Sequence, residues 1–276
     1  MFFFLLITML PSTTTSYGSG DLPSMRLSVW DAYYNHYAEN DVLWNRGMAD
    51  ESLVNEILND RWAHRTDLTF LEIGCGLGHD SLYTLLQPII MNVICLEPSS
   101  SALHSAMVRV RVALSNISTI ITTRDDRGTT FVIDGVKRVT FVHAALGVNF
   151  STILGSEPLI DLVWIRSVLQ HLCDADAHFI LSYVKTLLRP GGRLVVKEFI
   201  FCPGVKPEPF VACGQMVGPQ HTRPSATFAQ LLRDHYRSCE ITQSSMQSLC
   251  TLKTNSSTVC ADVISCTDNA PKPVRG

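Results

Sequence analysis

Short continuous apolar runs alternate with stretches of helical period from residue 68 onward. "LTFLEIG" (68–74) ends in glycine, "SLYTLLQPI" reads as a helix, and "NVICLEPS" (92–99) is a second strand, a β–α–β unit of a parallel sheet. A helix is expected from Ser100 towards Leu114. Polar and turn-forming residues at 115–138 break the rhythm and predict an inserted loop or hairpin. The alternation then resumes. "VTFVHAAL" and "LIDLVWIRSVL" are strands, "DADAHFILSYVKTLL" a helix, and "GGRLVVKEFIF" a fifth strand after the turn "RPGG". "SATFAQLLRDHY" is a last helix, followed by strand-like stretches at "SCEITQSS" and "STVCADVISC". The pattern predicts a doubly wound α/β fold with a mainly parallel sheet of seven strands, its last strands forming an antiparallel edge.

The amino-terminal third differs. From Asp31 to Leu58 the period is helical and rich in aromatic residues, and "MADESLVNEIL" reads as a capped amphipathic helix. We divide the chain into a disordered or signal-like start (1–24), a helical extension serving as a lid (25–66) and a main domain (67–270) carrying the 115–138 insertion. With 276 residues and 46% hydrophobic residues, the chain can bury a substantial core. A net charge of -3 excludes a global basic field for nucleic acid.

Nine cysteines without a CxxC pair read as reduced thiols of a cytoplasmic protein, with no metal and no membrane span. The opening "MFFFLLITML" has the length of a signal-peptide apolar region, but no Lys or Arg precedes Arg26; a loose amino terminus is the expectation. Sequons stand at Asn116, Asn149 and Asn255 and would matter only after secretion.

The candidate chemistry begins at "FLEIGCGLGHD" (70–80). Ligands of open α/β sheets bind beyond the carboxyl ends of the strands, and Glu72 with Gly74, Cys75, Gly76 and Gly78 stands at that end of the first strand. Glycine lets backbone approach a ligand, and the following helix offers free amides. A dinucleotide fingerprint needs glycine where this chain has His79. Glu97, followed by Pro98, ends the second strand, where a carboxylate can accept both hydroxyls of a ribose.

This set resembles the class I S-adenosylmethionine (SAM)-dependent methyltransferases over about residues 68–201: "LEIGCGLG", "LEPS", "IDLVWIRSVLQHL" and "LLRPGGRLVVKEF". The resemblance implies a Rossmann-like methyltransferase fold, SAM as cofactor, and contacts from Ala145, Leu146, Ile165 and Arg166 in addition to the turn residues. Where the family often has an acid for the adenine, this chain has "HAAL", which leaves backbone and apolar contacts. "WDAYY" is similar to a segment of the enzymes that make 3-methylcytidine in tRNA, which implies that Trp30 and Tyr34 cover the cofactor. tRNA, with a protein partner as a further expectation, follows from that likeness.

"DLVWIRSVLQHLCD" also resembles protein amino-terminal methyltransferases, which would place Trp164 and His171 on the acceptor side; Trp164 as core and His171 as a helix-start residue are the alternatives. A small-molecule acceptor and a regulatory subunit of the same fold also remain open. Arg109, Arg111, Arg124, Arg127, Lys137 and Arg138 form a local basic stretch. His171, Asp174 and Glu198 are candidates for a pocket that deprotonates an amine. No catalytic residue is assigned.

Overall fold

The computed structural model describes residues 65–116, 118–125, 128–144, 160–172, 174–201, 211–212, 215–216, 223–244 and 259–267, with Asp31, Tyr34, Val54, Asn55, Leu58 and Trp62. Trp30, Ala145 and Leu146 lie outside the described residues. The elements run β1 (Leu68–Ile73), α1 (His79–Leu86), β2 (Ile90–Glu97), α2 (Ser100–Leu114), β3 (Ile120–Arg124), β4 (Thr129–Ile133), β5 (Lys137–His143), β6 (Ile160–Arg166), α3 (Asp174–Leu187), β7 (Leu188–Phe201), β8 (Val211–Ala212), β9 (Gln215–Met216), α4 (Ser225–Arg233), β10 (Ser238–Ser244) and β11 (Val259–Thr267).

The main sheet has the order β10-β11-β7-β6-β1-β2-β5-β4-β3. Its centre is parallel: β1 pairs with β2 and β6, β2 with β5, and β6 with β7. The expected antiparallel edge is present as β11 against β7 and β10 against β11. Nine strands replace the expected seven because the 115–138 insertion folds as a hairpin, β3 with β4, that continues the sheet antiparallel beyond β5. The "RPGG" segment does not leave the sheet as a turn. It is absorbed into β7 as an irregularity of register: Ile160 pairs with Leu188, but Leu162 pairs with Arg193.

Successive residues of a strand face opposite sides, and this sheet buries both. Leu71, Ile73, Leu96, Val163 and Ile165 pack with Ala177 and Ile180 of α3 and Phe228 and Leu232 of α4. On the other face Phe70, Cys95, Leu162 and Trp164 pack with Leu103 and Ala106 of α2. Val54, Leu58 and Trp62, helical and spaced by four, join that second cluster and help to cover this face of the sheet.

The chain runs outward from β1 to β2 and β5, then returns to β6 on the other side of β1. The order therefore reverses between β1 and β6, and the crevice at their carboxyl ends is the topological switch point. At the opposite end, buried Asp161 accepts hydrogen bonds from Arg65 (2.7 Å) and from the Thr69 amide (2.9 Å), and Arg189 pairs with it at 3.1 Å.

Cys239 and Cys266 face each other in β10 and β11 and are joined by a disulfide. This corrects the expectation that all cysteines are reduced: strand pairing places these two side by side, which linear spacing did not show. Cys75 and Cys95 are free and buried. No described helix is long and apolar enough to cross a membrane.

Candidate functional site

The turn after β1 is bound to its neighbour strand, since the amides of Gly74 (2.8 Å) and Cys75 (3.1 Å) both donate to the carbonyl of Leu96. Gly74, Gly76 and Gly78 all have positive φ, so side chains there would be strained whatever the space. Their surroundings refine the reason for glycine. A Cβ at Gly78 would meet Ala106 of α2 at 2.7 Å, so that glycine lets two helices approach. A Cβ at Gly76 would meet the Tyr34 hydroxyl at 2.9 Å, and one at Gly74 would strike Val168. Packing of the protein's own side chains against this turn therefore requires glycine at all three positions.

Glu97 ends β2 with both oxygens oriented by backbone. Its Oε2 accepts the Gly76 amide at 2.8 Å and its Oε1 the Ser99 amide at 2.9 Å. The carboxylate thus fixes the glycine turn to the start of α2. Burial pushes its pKa up to about 7, against the lowering effect of the Ser99 and Gly76 amides. Each oxygen retains acceptor capacity for a hydroxyl, as a ribose diol requires.

Two residues of the amino-terminal helical segment reach this corner. Asp31 Oδ1 accepts from the Ser99 hydroxyl (2.7 Å), the Ser100 hydroxyl (3.3 Å) and the Ser101 amide (3.4 Å), at the amino end of α2. Burial works against it, yet these hydrogen bonds hold its carboxyl below the usual range. Asp31 and Tyr34 stand three apart on one helical face, which carries Tyr34 to Gly76. Sequence reading expected Tyr34 here and missed Asp31. The signal was present in "WD" and in the serine run 99–101, a helix start that attracts a carboxylate.

Glu72 is buried within the fold, and its carboxylate accepts a short hydrogen bond from Ser81 of α1. Burial raises its pKa well above the usual range, and Asp80 and Cys95 push the same way. Asp80, also in the first turn of α1, receives the Trp164 indole N–H (3.1 Å) and Arg166 (2.8 Å). Trp164 is fully buried, so the core role holds rather than an acceptor-side one. Ile165 is likewise fully buried, whereas Arg166 is partly exposed at the end of β6. Pro98 lies between Glu97 and Ser99, its carbonyl 2.9 Å from His143 Nε2. His79 opens α1; burial and nearby Arg109 lower its pKa to about 4, which keeps the imidazole neutral.

Across the switch point, the loop after β6 is held from two sides. Glu198 on β7, buried, accepts the amides of Val168 (2.8 Å), Leu169 (2.8 Å) and Gln170 (3.4 Å). Burial pushes its pKa up to about 7, offset in part by those amides. Arg223 donates to the carbonyls of Leu169 (2.8 Å) and Leu172 (2.9 Å) and pairs with Asp174 at 2.7 Å. Ser167 takes a positive φ of 56°, unusual for serine, and Val168 next to it abuts Gly74. His171 Nε2 lies 3.2 Å from Nε2 of the Gln170 side chain. The structure therefore brings Glu198, Asp174 and His171 to one loop, but Glu198 serves that loop's backbone. Arg223 was missed because its partners come from distant parts of the chain.

Three residues of the basic stretch between 109 and 138 are engaged within the fold. Arg109 donates to the Leu77 carbonyl, Lys137 to those of Leu85 and Gln87, and Arg111 lies over the Phe131 ring. No group of three potential metal ligands occurs among the described residues.

No family model matches the chain, and no curated protein is significantly similar to it. Solved structures are similar in fold. DhpI in a complex with SAM and HEP has a TM-score of 0.54 at 15% identity, covering 90% of this chain and 99% of that one. A SAM-dependent methyltransferase of the DUF858 family from Leishmania major has a TM-score of 0.53 at 16% identity, covering 88% and 82%. Phosphoethanolamine N-methyltransferase 2 of Haemonchus contortus, in complex with phosphomonomethylethanolamine and S-adenosylhomocysteine, has a TM-score of 0.50 at 18% identity, covering 77% and 44%. The architecture is the Rossmann-like methyltransferase fold.

Proposed function

We propose that the chain is a SAM-dependent methyltransferase acting on a small-molecule acceptor. The observation that carries the cofactor assignment is Glu97, whose carboxylate is aimed by the Gly76 and Ser99 amides at the end of β2 and keeps lone pairs for two hydroxyls. The donor and acceptor set fits: Glu97 for the ribose, the amino end of α1, where Gly78 supplies no side-chain cap, for the carboxylate of the amino acid moiety, and Arg166, paired with Asp80, at the end of β6. Held there, SAM would supply an electrophilic methyl carbon on a sulfonium, whose bond to sulfur breaks as the acceptor bonds to it, with S-adenosylhomocysteine as the leaving group.

The chain's own work is positioning. Glu97 ties the glycine turn to α2, Asp31 holds the amino end of α2, Tyr34 lies against Gly76 of the turn, and Glu198 with Arg223 holds the loop after β6. Because Glu198 spends its oxygens on three amides, we assign it to positioning and not to proton abstraction. No general base is assigned.

The small-molecule acceptor rests on the fold neighbours with HEP and phosphomonomethylethanolamine, and on the engagement of Arg109, Arg111 and Lys137 within the fold. A second reading, methylation of cytidine ring nitrogen 3 in tRNA, draws on "WDAYY" and the placement of Tyr34 over Gly76. Methyl-labelled SAM incubated with small-metabolite, protein and RNA fractions separates them: label in the small-metabolite fraction is expected, and label in RNA alone would move the acceptor to tRNA. Absence of SAM binding by calorimetry would overturn the cofactor assignment itself.

A further inference from the structure

Two features take no part in the proposed chemistry and share one requirement: the disulfide and the turn that follows α2. We propose that the chain matures in an oxidising secretory compartment, where Cys239 and Cys266 are joined and Asn116 carries an N-linked glycan. Cys239 and Cys266 are directly opposed in the β10–β11 register with Cα atoms 4.2 Å apart, close enough to bridge without moving either strand. Such bonds persist in secretory and extracellular surroundings and are rare where glutathione keeps thiols reduced. Six of the nine cysteines lie between 202 and 266, whereas Cys75 and Cys95, beside the glycine turn, are buried and free.

Asn116 belongs to the sequon "NIS" and is exposed in the turn between α2 and β3. The Ser118 amide donates to the Leu114 carbonyl at 3.0 Å, which folds the turn back on the helix with Asn116 on the outside. One helical turn away Val112 is 66% exposed, and Val108 (46%) and Ile121 (55%) leave further apolar surface uncovered on α2 and β3. A glycan at Asn116 would shade that surface. The 15 residues of α2 span about 22 Å at the helical rise, which separates Asn116 from the Ser99 corner and leaves the candidate site open. The apolar stretch "MFFFLLITML" has the length of a signal-peptide apolar region and is followed by small residues, but it lacks a basic residue before it, so the disulfide and the exposed sequon carry the proposal.

Both steps balance with reactants of that compartment. The Cys239 and Cys266 thiols lose two protons and two electrons as their S–S bond forms, and a disulfide-carrying oxidoreductase takes them up as a dithiol. The Asn116 side-chain nitrogen bonds to the anomeric carbon of an oligosaccharide, the bond from that carbon to a lipid pyrophosphate breaks, and the amide proton is released with the leaving group.

The full chain, with its own amino terminus, is produced in insect cells and examined without reduction. Peptide-N-glycosidase should increase its mobility, Asn116→Gln and Ser118→Ala should each remove the same single glycan step, and mass spectrometry should find the Cys239 and Cys266 peptides joined. Retention of the chain in the cytosol, wild-type mobility of both variants, or alkylation of both cysteines before reduction overturns the proposal. None of these readouts depends on methyl transfer, so this proposal and the methyltransferase reading fail separately.

Discussion

The carboxylate of Glu97 and the amide of Gly76 meet at 2.8 Å, which binds the end of β2 to the glycine turn of β1. A residue expected to hold the cofactor is therefore also a brace of the turn. Glu97→Ala should weaken SAM binding by about 1.5–3 kcal/mol, the scale for hydrogen bonds to a charged group. Glu97→Asp should be milder. Calorimetry gives the affinities, and unchanged affinity with a lowered melting temperature would confine Glu97 to the brace.

Protonation of the same group provides a second test. With its pKa pushed up to about 7, Glu97 is increasingly neutral below that pH, and a neutral carboxyl accepts hydroxyl donors less well. SAM affinity should rise as pH increases from 6 to 8 in the wild type, and this rise should be lost in Glu97→Gln. A parallel pH dependence in both proteins would assign the titration elsewhere.

Glu198 makes the corresponding prediction for stability. Its folded pKa, about 7, exceeds that of an exposed glutamate, so between those values the folded state binds the extra proton. Its contribution is thus present at low pH and lost as pH rises through about 7. Relative to Glu198→Gln, the wild type should melt at a lower temperature at pH 8 than at pH 5.5. Equal differences at the two pH values would place the titrating group outside Glu198.

Substitutions at the glycines should separate packing from binding. Gly78→Ala brings a methyl against Ala106 in a left-handed turn and should lower stability by about 1–3 kcal/mol, as residues held in strained backbone conformations do. Gly76→Val should abolish SAM binding. Thermal melting and titration distinguish the two effects.

Asp31→Asn tests the closure over the site. The charge at the amino end of α2 should be worth about 0.3–1 kcal/mol, so global stability changes little. SAM affinity should fall more than stability if this segment covers the cofactor. Normal affinity with a large loss of stability would make the segment part of the core.

Much of this was legible in the sequence because strands and helices alternate with strong local signals. α2 runs over Ser100–Leu114 as the pattern indicates, and the polar insertion is a hairpin. The "RPGG" turn misled, since two glycines and a proline can also be accommodated by a register irregularity beside β6. Glycine spacing marked the turn but could not show that Ala106, Tyr34 and Val168 also demand it. Long-range pairings such as Arg223 with the Leu169 carbonyl, or Cys239 with Cys266, leave no local trace, because the partners meet only when the sheet order is set.

That order has a consequence for how the molecule assembles. Among the described residues β10 pairs in the sheet only with β11, yet β11 follows it in the chain and lies between it and β7. During synthesis β10 emerges before the strand that docks it, so it waits as an unpaired ribbon until residues 259–267 arrive. The two then add to β7 as one piece. A ribosome-bound chain stopped before residue 259 should accordingly expose β7 as a bare edge, a natural binding place for a chaperone that recognises extended strands.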